Sequence, residues 1–396
     1  MRLHGFVNIC WLQICLYVSQ EDHLIKSTSL NVAQSTAWLK EAIVRIGHFG
    51  FTHVNNALSR YDLAMANSIP YSILDISPIP QGFTAADALH NSLDVARHAE
   101  KWGYTRYWVA EHHNMTGNAS SATAVLIGYI AAGTSHIRVG SGGVMLPNHA
   151  PLVIAEQFGT LEALYPGRIE LGLGRAPGTD QMTARALRRD LLGSDDRFPQ
   201  DVRELQHYFG PLQEGQSVKA IPGVDSNVPI WILGSSLYGA QLAAHFGLPY
   251  AFASHFAPEQ LLEAMKIYRE LFKPSAQQDK PYSAFVMNVV AADTDEEAQH
   301  LFTTLQQNVV RMRRNTRGQL PPPIIDMNEF CEPHELAAAD HTLQVSVVGS
   351  LETVKKGMRR WLDLTGANEI ILTGQIFDHQ ARLRSFEIAA QAAQSL

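Results

Sequence analysis

Short apolar runs alternate with longer stretches of helical periodicity from Met65 to the end of the chain. This alternation is typical of parallel βα units, in which each helix returns the chain to the start of the next strand. Eight runs are long and apolar enough to be buried strands, and they lie at residues 71–77, 106–112, 137–146, 169–174, 229–234, 249–253, 283–291 and 368–373.

The first helix is the clearest one in the pattern. Thr84 with Asp87 three residues later predicts a capped start, and Gly103 predicts the end. Further helices are predicted at residues 120–132, 151–164, 237–246, 259–272, 294–313, 351–365 and 380–393. Eight such units favour a (β/α)8 TIM barrel within the α/β class, with insertions at residues 177–228 and 314–346.

A doubly wound open sheet is the alternative fold. It predicts a glycine-rich dinucleotide fingerprint after the first strand, whereas this chain has Pro78 and Pro80 there. The barrel therefore remains the favoured architecture.

Residues 1–64 do not share this pattern. Their apolar stretch at residues 5–18 could be the core of a signal peptide, but no convincing small-residue cleavage site follows it. We therefore expect residues 1–64 to be a poorly ordered N-terminal extension and residues 65–396 to form the barrel.

Composition and charge narrow the class of protein further. The 396 residues are 46% hydrophobic and 17% charged, with a net charge of −7. These values indicate a globular cytoplasmic protein and disfavour nucleic-acid binding and membrane insertion. The three cysteines, at positions 10, 15 and 331, have no metal-ligand spacing.

Ligands of a barrel bind at the carboxyl ends of its strands, and the second strand ends in "EHH". Period-two alternation places Trp108, Ala110 and His112 on one face and Glu111 on the other. His112 is placed to act as an acid or base. It could instead hydrogen-bond loop backbone, or bind zinc, although no other strand exit offers an obvious histidine or cysteine to complete a zinc site.

The third strand contains Gly140, Gly142 and Gly143. Glycine weakens a strand unless another backbone or a flat ligand must approach closely, or the strand bends there. The pattern therefore predicts either a ligand face or a bulge.

Two further strand exits could bind an anion. Arg175 follows the fourth strand, and Ser235 with Ser236 lies between the fifth strand and a helix. An arginine and a helix N-terminus both suit phosphate. The ordinary alternatives are an ion pair for Arg175 and helix capping by the serines. Together with the glycines, these residues predict a phosphorylated planar ligand.

Three stretches, "EHHNMTG", "VGSGGVMLPNHAPLVIAEQFGTLEALYPGRIELGLGRAPG" and "WILGSSLYGAQLAAHFGLPYAFASHF", closely resemble the bacterial luciferase-like flavin monooxygenases. The resemblance covers roughly residues 70–392. It implies a (β/α)8 barrel that receives reduced FMN from a separate flavin reductase, uses molecular oxygen, and often forms a homodimer.

The resemblance also implies roles for particular residues. His112 matches the active-site base, and Gly142 with Gly143 matches a strand bulge with a cis peptide beneath the flavin ring. Arg175, Ser235 and Ser236 match phosphate ligands. This chain has Gly174 where true luciferases have a reactive cysteine, and Gly239 where they have a phosphate-binding threonine, which argues against light emission.

The function predicted from the sequence is a flavin-dependent monooxygenase that uses reduced FMN and oxygen on a small organic substrate, with residues 177–228 as a lid and no metal. One alternative is hydride transfer with a deazaflavin or flavin. Another is an FMN-binding protein without turnover.

Overall fold

A computed structural model describes residues 69–176, 181–187 and 197–396. The predicted extension at residues 1–64 lies outside the described residues. Nine parallel strands form one sheet: β1 Tyr71–Asp75, β2 Arg106–Val109, β3 Arg138–Met145, β4 Ile169–Gly174, β5 Ile230–Gly234, β6 Tyr250–Phe252, β7 Ser283–Ala291, β8 Ser346–Gly349 and β9 Glu369–Thr373.

Eight of these strands close into a barrel. Strands β1 to β7 are neighbours in chain order, β7 pairs with β9, and β9 pairs with β1. The ninth strand, β8, pairs only with residues 288–291 of β7. The predicted TIM barrel is therefore confirmed, with one additional strand that the sequence pattern did not predict.

Helices connect the strands: α1 Ala85–Trp102, α2 Thr123–Ala132, α3 Pro151–Leu164, α4 Gln181–Leu187, α5 Phe198–Phe209, α6 Leu237–Phe246, α7 Leu261–Leu271, α8 Asp295–Arg313, α9 Pro333–Thr342, α10 Leu351–Thr365 and α11 His379–Gln394. Among the described residues, no helix is long and apolar enough to cross a bilayer.

The capping prediction for α1 is confirmed. The Thr84 side chain accepts a hydrogen bond from the Asp87 N–H, and the Asp87 carboxylate accepts one from the Thr84 N–H. Gly103 adopts the left-handed conformation, with φ of 85°, and ends the helix.

Two of the predicted strands are shorter than expected at their carboxyl ends. The run 71–77 ends at Asp75, because Ser77 adopts a left-handed conformation with φ of 49°. The run 106–112 ends at Val109, after which the chain turns and the His112 N–H bonds the Ser120 carbonyl. Glu111 and His112 therefore lie in the loop that follows β2.

The insertions contain α4, α5 and α9. Phe198, Val202 and Leu205 of α5 are buried in the main core, so this part of the predicted lid belongs to the scaffold. Helix α4 is more exposed, with Met182 81% accessible. Residues 177–180 and 188–196, which complete that insertion, lie outside the described residues.

The interior of the barrel is layered. Near the start of the strands, Arg106 forms ion pairs with Glu170 and Glu369 at 3.3 and 3.2 Å, and all three side chains are buried. Trp108 and Trp231 pack edge to face above this layer. The ionic floor and aromatic layer fill the barrel axis up to the carboxyl ends of the strands.

Candidate functional site

A cavity of about 500 Å³ lies at the carboxyl ends of the barrel strands. Its walls come from the barrel strands and the loops that follow them, together with α8 and the segment after α8. All six of the residues predicted as site residues line this one cavity: His112, Gly142, Gly143, Arg175, Ser235 and Ser236.

Arg175 extends from the end of β4 and lies over the ring of Tyr238, with its guanidinium carbon 4.2 Å from the ring centroid. Among the described residues it has no carboxylate partner within ion-pair distance. No described residue therefore supports the alternative of a structural ion pair. Its charge remains directed toward the cavity, where it can bind an anion.

The N-terminus of α6 lies at the same end of the cavity. Ser236 occupies the N-cap position, but its side chain makes no capping hydrogen bond. Gly234 and Gly239 pack closely, since a Cβ on Gly239 would lie 3.4 Å from the Gly234 Cα. The helix thus begins close to β5, and its first N–H groups and the serine hydroxyls are available to a phosphate.

The glycine-rich part of β3 forms one wall. The Gly142–Gly143 peptide is cis, as the resemblance implies, and the pairing with β4 shifts register between Gly142 and Val144. A Cβ on Gly142 would lie 2.6 Å from Leu74 Cδ1. The bulge and the close packing of the barrel therefore both require small residues at this cavity wall.

Gly140 has a different environment from the other two glycines. It does not line the cavity, and a Cβ there would lie 2.4 Å from the Glu170 carbonyl oxygen. The prediction that Gly140 belongs to a ligand face is therefore corrected. A glycine is required at this position because β3 and β4 approach each other closely.

His112 faces the cavity, as the alternation with Trp108 predicts, and its Nδ1 atom is buried without a hydrogen-bond partner. Burial is the main cause that lowers the pKa of His112 to about 4. The ring is therefore neutral at pH 7 and can accept a proton or a hydrogen bond from a ligand.

His255 is a cavity residue that sequence reasoning missed. It follows β6, its Nδ1 atom is also buried without a partner, and burial together with the nearby His112 lowers its pKa to about 3. The available signal was its position after the short strand in "YAFASHF". Two neutral histidines therefore face the same cavity.

Glu111 points to the opposite side of the β2 loop, as the alternation predicts. Its Oε1 atom accepts hydrogen bonds from Nε2 of His113 and of His149, each at 2.9 Å. Burial raises the pKa of Glu111, but these hydrogen bonds outweigh that effect and lower it below its usual value.

The three ligand atoms of Glu111, His113 and His149 lie within 4.8 Å of one another, so a metal ion could be held there. No other strand exit was expected to offer an obvious histidine or cysteine to complete a zinc site. His149 supplies such a histidine from the turn after β3, so that expectation is wrong. The three side chains are already joined by hydrogen bonds, and together they fix the loop that carries His112.

A parallel barrel with an arginine, a helix N-terminus and neutral histidines around a cavity at its carboxyl mouth has the arrangement of a barrel enzyme's ligand site. The family model described as luciferase-like monooxygenase matches residues 70–369. The chain belongs to the luciferase-like monooxygenase family.

Two relatives illustrate the likeness in sequence. A luciferase-like monooxygenase of Escherichia coli strain K12 is 56% identical over 329 residues, covering 83% of this chain and 98% of the relative. The N-acetyl-S-alkylcysteine monooxygenase of Bacillus subtilis strain 168 is 33% identical over 333 residues, covering 82% and 98%.

Solved structures are similar over the same region. The crystal structure of apo-MsnO8 has a TM-score of 0.77 and 38% identity, covering 82% of this chain and 98% of that one. The FMN complex of the oxygenating constituent of 3,6-diketocamphane monooxygenase from Pseudomonas putida has a TM-score of 0.62 and 16% identity, covering 82% and 97%. At that identity the second comparison shows the fold alone.

Proposed function

We propose that this protein is an FMN-dependent monooxygenase that acts with molecular oxygen on a small organic substrate. The observation that carries the proposal is that Arg175 and the uncapped start of α6 line the same cavity as His112. Family membership supports an oxygenase, and the cofactor is inferred from these residues.

The residues present fit FMN. The phosphate would be held by Arg175, the Ser235 and Ser236 hydroxyls and the N–H groups at the start of α6. The ring would rest on the Gly142–Gly143 wall, whose glycines present backbone without side chains. When bound in its reduced form, FMN supplies the electrons that activate oxygen.

The chain's own residues would control protons and water at this site. His112, neutral at pH 7, would accept a proton from the reacting group and return it later through its ring nitrogens. The apolar walls formed by Leu74, Trp108 and Val286 would keep water from the reacting centre. Helix α4, within the insertion predicted as the lid, is proposed to cover the cavity, whereas α5 belongs to the scaffold.

The name of one relative supports the oxygen chemistry. One relative is named as a monooxygenase of N-acetyl-S-alkylcysteine, and a structure with the same fold binds FMN. We further propose a separate flavin reductase as the source of reduced FMN, a homodimeric assembly, a cytoplasmic location, and an N-terminal extension that takes no part in the barrel.

Comparison of FMN with riboflavin tests the anion site, because the two differ by the phosphate. Wild type is expected to bind FMN more tightly than riboflavin, and Arg175→Gln is expected to lower FMN affinity about tenfold or more with little change for riboflavin. Arg203→Gln is the matched control, since Arg203 also lies over an aromatic ring, that of Phe246, but does not line the cavity. Equal affinity of wild type for the two flavins would contradict the proposal.

Labelled oxygen tests the reaction. Reduced FMN, ¹⁸O₂ and N-acetyl-S-benzylcysteine are combined with the protein, and the product is analysed by mass spectrometry. One labelled oxygen atom in the product is expected from a monooxygenase. Substrate oxidation without label would instead support the alternative of hydride transfer, which an F420-dependent alcohol dehydrogenase of the same fold, at 16% identity, carries out.

A further inference from the structure

We propose that the cavity binds a small organic anion with an apolar body, and that Arg317 binds its anionic group. This inference rests on the proposed function, because it names the substrate class of the same cavity. It concerns the end of the cavity away from Arg175.

The first support is the charge of the cavity wall. The described residues that line it include two arginines, Arg175 and Arg317, and two histidines, but no aspartate or glutamate. In a chain with a net charge of −7, such a wall is a local concentration of positive potential. FMN has one phosphate for the first arginine, so the second arginine remains for another anion.

The second support is that Arg317 has no partner among the residues that the structure describes. The neighbouring arginines on this segment are used: Arg314 pairs with Glu335, Arg313 bonds the Thr342 hydroxyl, and Arg311 lies over the ring of Phe330. Arg317 makes no ion pair or hydrogen bond with any residue that the structure describes. A cation that lines a cavity without a counter-charge is suited to an anionic ligand.

The third support is that the backbone carrying Arg317 is fixed at the cavity rim. On one side, the Thr316 N–H bonds the Arg311 carbonyl at 2.8 Å. On the other side, the Leu320 N–H donates a hydrogen bond to the Ile79 carbonyl at 2.8 Å. Gly117 and Gly318 also pack closely, since a Cβ added to Gly117 would lie 2.2 Å from the Gly318 carbonyl oxygen. The arginine is therefore held over the loops that follow β1 and β2.

Arg317 is also near the proposed base. Burial is the main cause of the lowered pKa of His112, and the positive charge of Arg317 adds to it. Arg317 and His112 line the same cavity, so an anion bound at Arg317 would share that cavity with the proposed base. Arg175, by contrast, enters the cavity from β4 beside α6, so the two arginines serve different ligands.

The neighbouring walls indicate the body of the ligand. Met115, Phe256 and Met312 line the same cavity and offer apolar contact. Asn308 donates to the Gln375 side-chain oxygen at 2.9 Å, which leaves the Asn308 oxygen and the Gln375 amide group for one polar group of the ligand. A carboxylate or sulfonate on an apolar frame fits this combination.

Benzoate and benzamide are the probes, because they share shape and differ in charge. Each is titrated calorimetrically into the FMN-loaded protein. Wild type is expected to bind benzoate at least about fivefold more tightly than benzamide, which is modest because Arg317 is exposed to solvent. Added salt is expected to reduce the preference.

Variants assign the preference to one side chain. Arg317→Gln is expected to remove the preference for benzoate while FMN affinity stays unchanged, and Arg317→Lys is expected to keep part of it. Arg360→Gln, which changes an exposed arginine on α10 outside the cavity, is expected to behave as wild type. A preference that survives in Arg317→Gln, equal binding of the two probes by wild type, or no saturable binding of benzoate would each overturn the proposal.

Failure of the proposed function would give a different result. If the protein does not bind FMN, the cofactor assignment falls, and the benzoate and benzamide titrations of wild type and Arg317→Gln are then repeated on the flavin-free protein. Loss of the benzoate preference in that variant would still support the anion site.

Discussion

His255→Gln is expected to reduce the decrease in the free energy of unfolding that occurs as the pH falls. In an unfolded chain a histidine binds its proton near pH 6.5. In the folded protein, burial and the nearby His112 lower the pKa of His255 to about 3. As the pH falls between these values, the unfolded state takes up a proton that the folded state does not, so the free energy of unfolding decreases.

The size of this effect follows from the shift. The loss is about 1.4 kcal/mol for each pH unit, or about 3 kcal/mol between pH 6.5 and pH 4. Because the ring faces a cavity that water can enter, we expect about 2 kcal/mol. The loop itself should be retained in the variant, since the Asn288 side chain donates to the His255 backbone carbonyl at 2.9 Å.

Urea unfolding followed by tryptophan fluorescence at about pH 7, 6, 5 and 4.5 measures the dependence. The difference between wild type and His255→Gln isolates this one group from the carboxylates and from His112, which also titrate in acid. His300→Gln is the matched control, because His300 is exposed on α8. Parallel profiles for wild type and His255→Gln would refute the reasoning.

Three further predictions concern the scaffold and the site. Arg382→Met should lower the free energy of unfolding by about 3–5 kcal/mol, because it leaves the buried Asp75 carboxylate without its ion pair at 2.6 Å. Urea unfolding measures this loss, and the double variant that also carries Asp75→Asn should recover part of it. Gly172→Ala should lower the melting temperature by several degrees, since the added Cβ would lie 2.2 Å from a backbone oxygen. Gly174→Ala should change the melting temperature little, because its Cβ would meet a flexible methionine sulfur at 2.8 Å. Equal melting temperatures would contradict this contrast. His112→Ala should release hydrogen peroxide in place of oxygenated product, as measured by peroxide assay and product yield, with a rate of product formation at least about 100-fold lower; an unchanged yield would remove His112 from the reaction.

Local signals were sufficient for most of the barrel. Residues close together in the sequence were enough to predict the reciprocal Thr84 and Asp87 hydrogen bonds, the left-handed Gly103 and the eight barrel strands. The strand β8 was missed because "SVVG" is four residues long and is stabilised by pairing with the far half of β7, a contact that sequence does not display. Helix α5 was missed because it lies inside a long insertion.

The site was predictable where chemistry coincides with a strand end. His112, Arg175 and the serines were found in this way. His149 and Arg317 were not, since one lies in a turn after β3 and the other on a loop whose position depends on backbone bonds to the residues after β1. Three-dimensional closure of the barrel brings these loops together.

The ionic floor of the barrel determines how molecules can reach the centre. Arg106, Glu170 and Glu369 occupy the axis beneath Trp108, so the route along the axis from the amino ends is blocked by charged and aromatic side chains. A ligand of the cavity must therefore enter and leave through the opposite end of the barrel. Under the proposed function, the flavin, the organic anion and the product would all pass through this one opening.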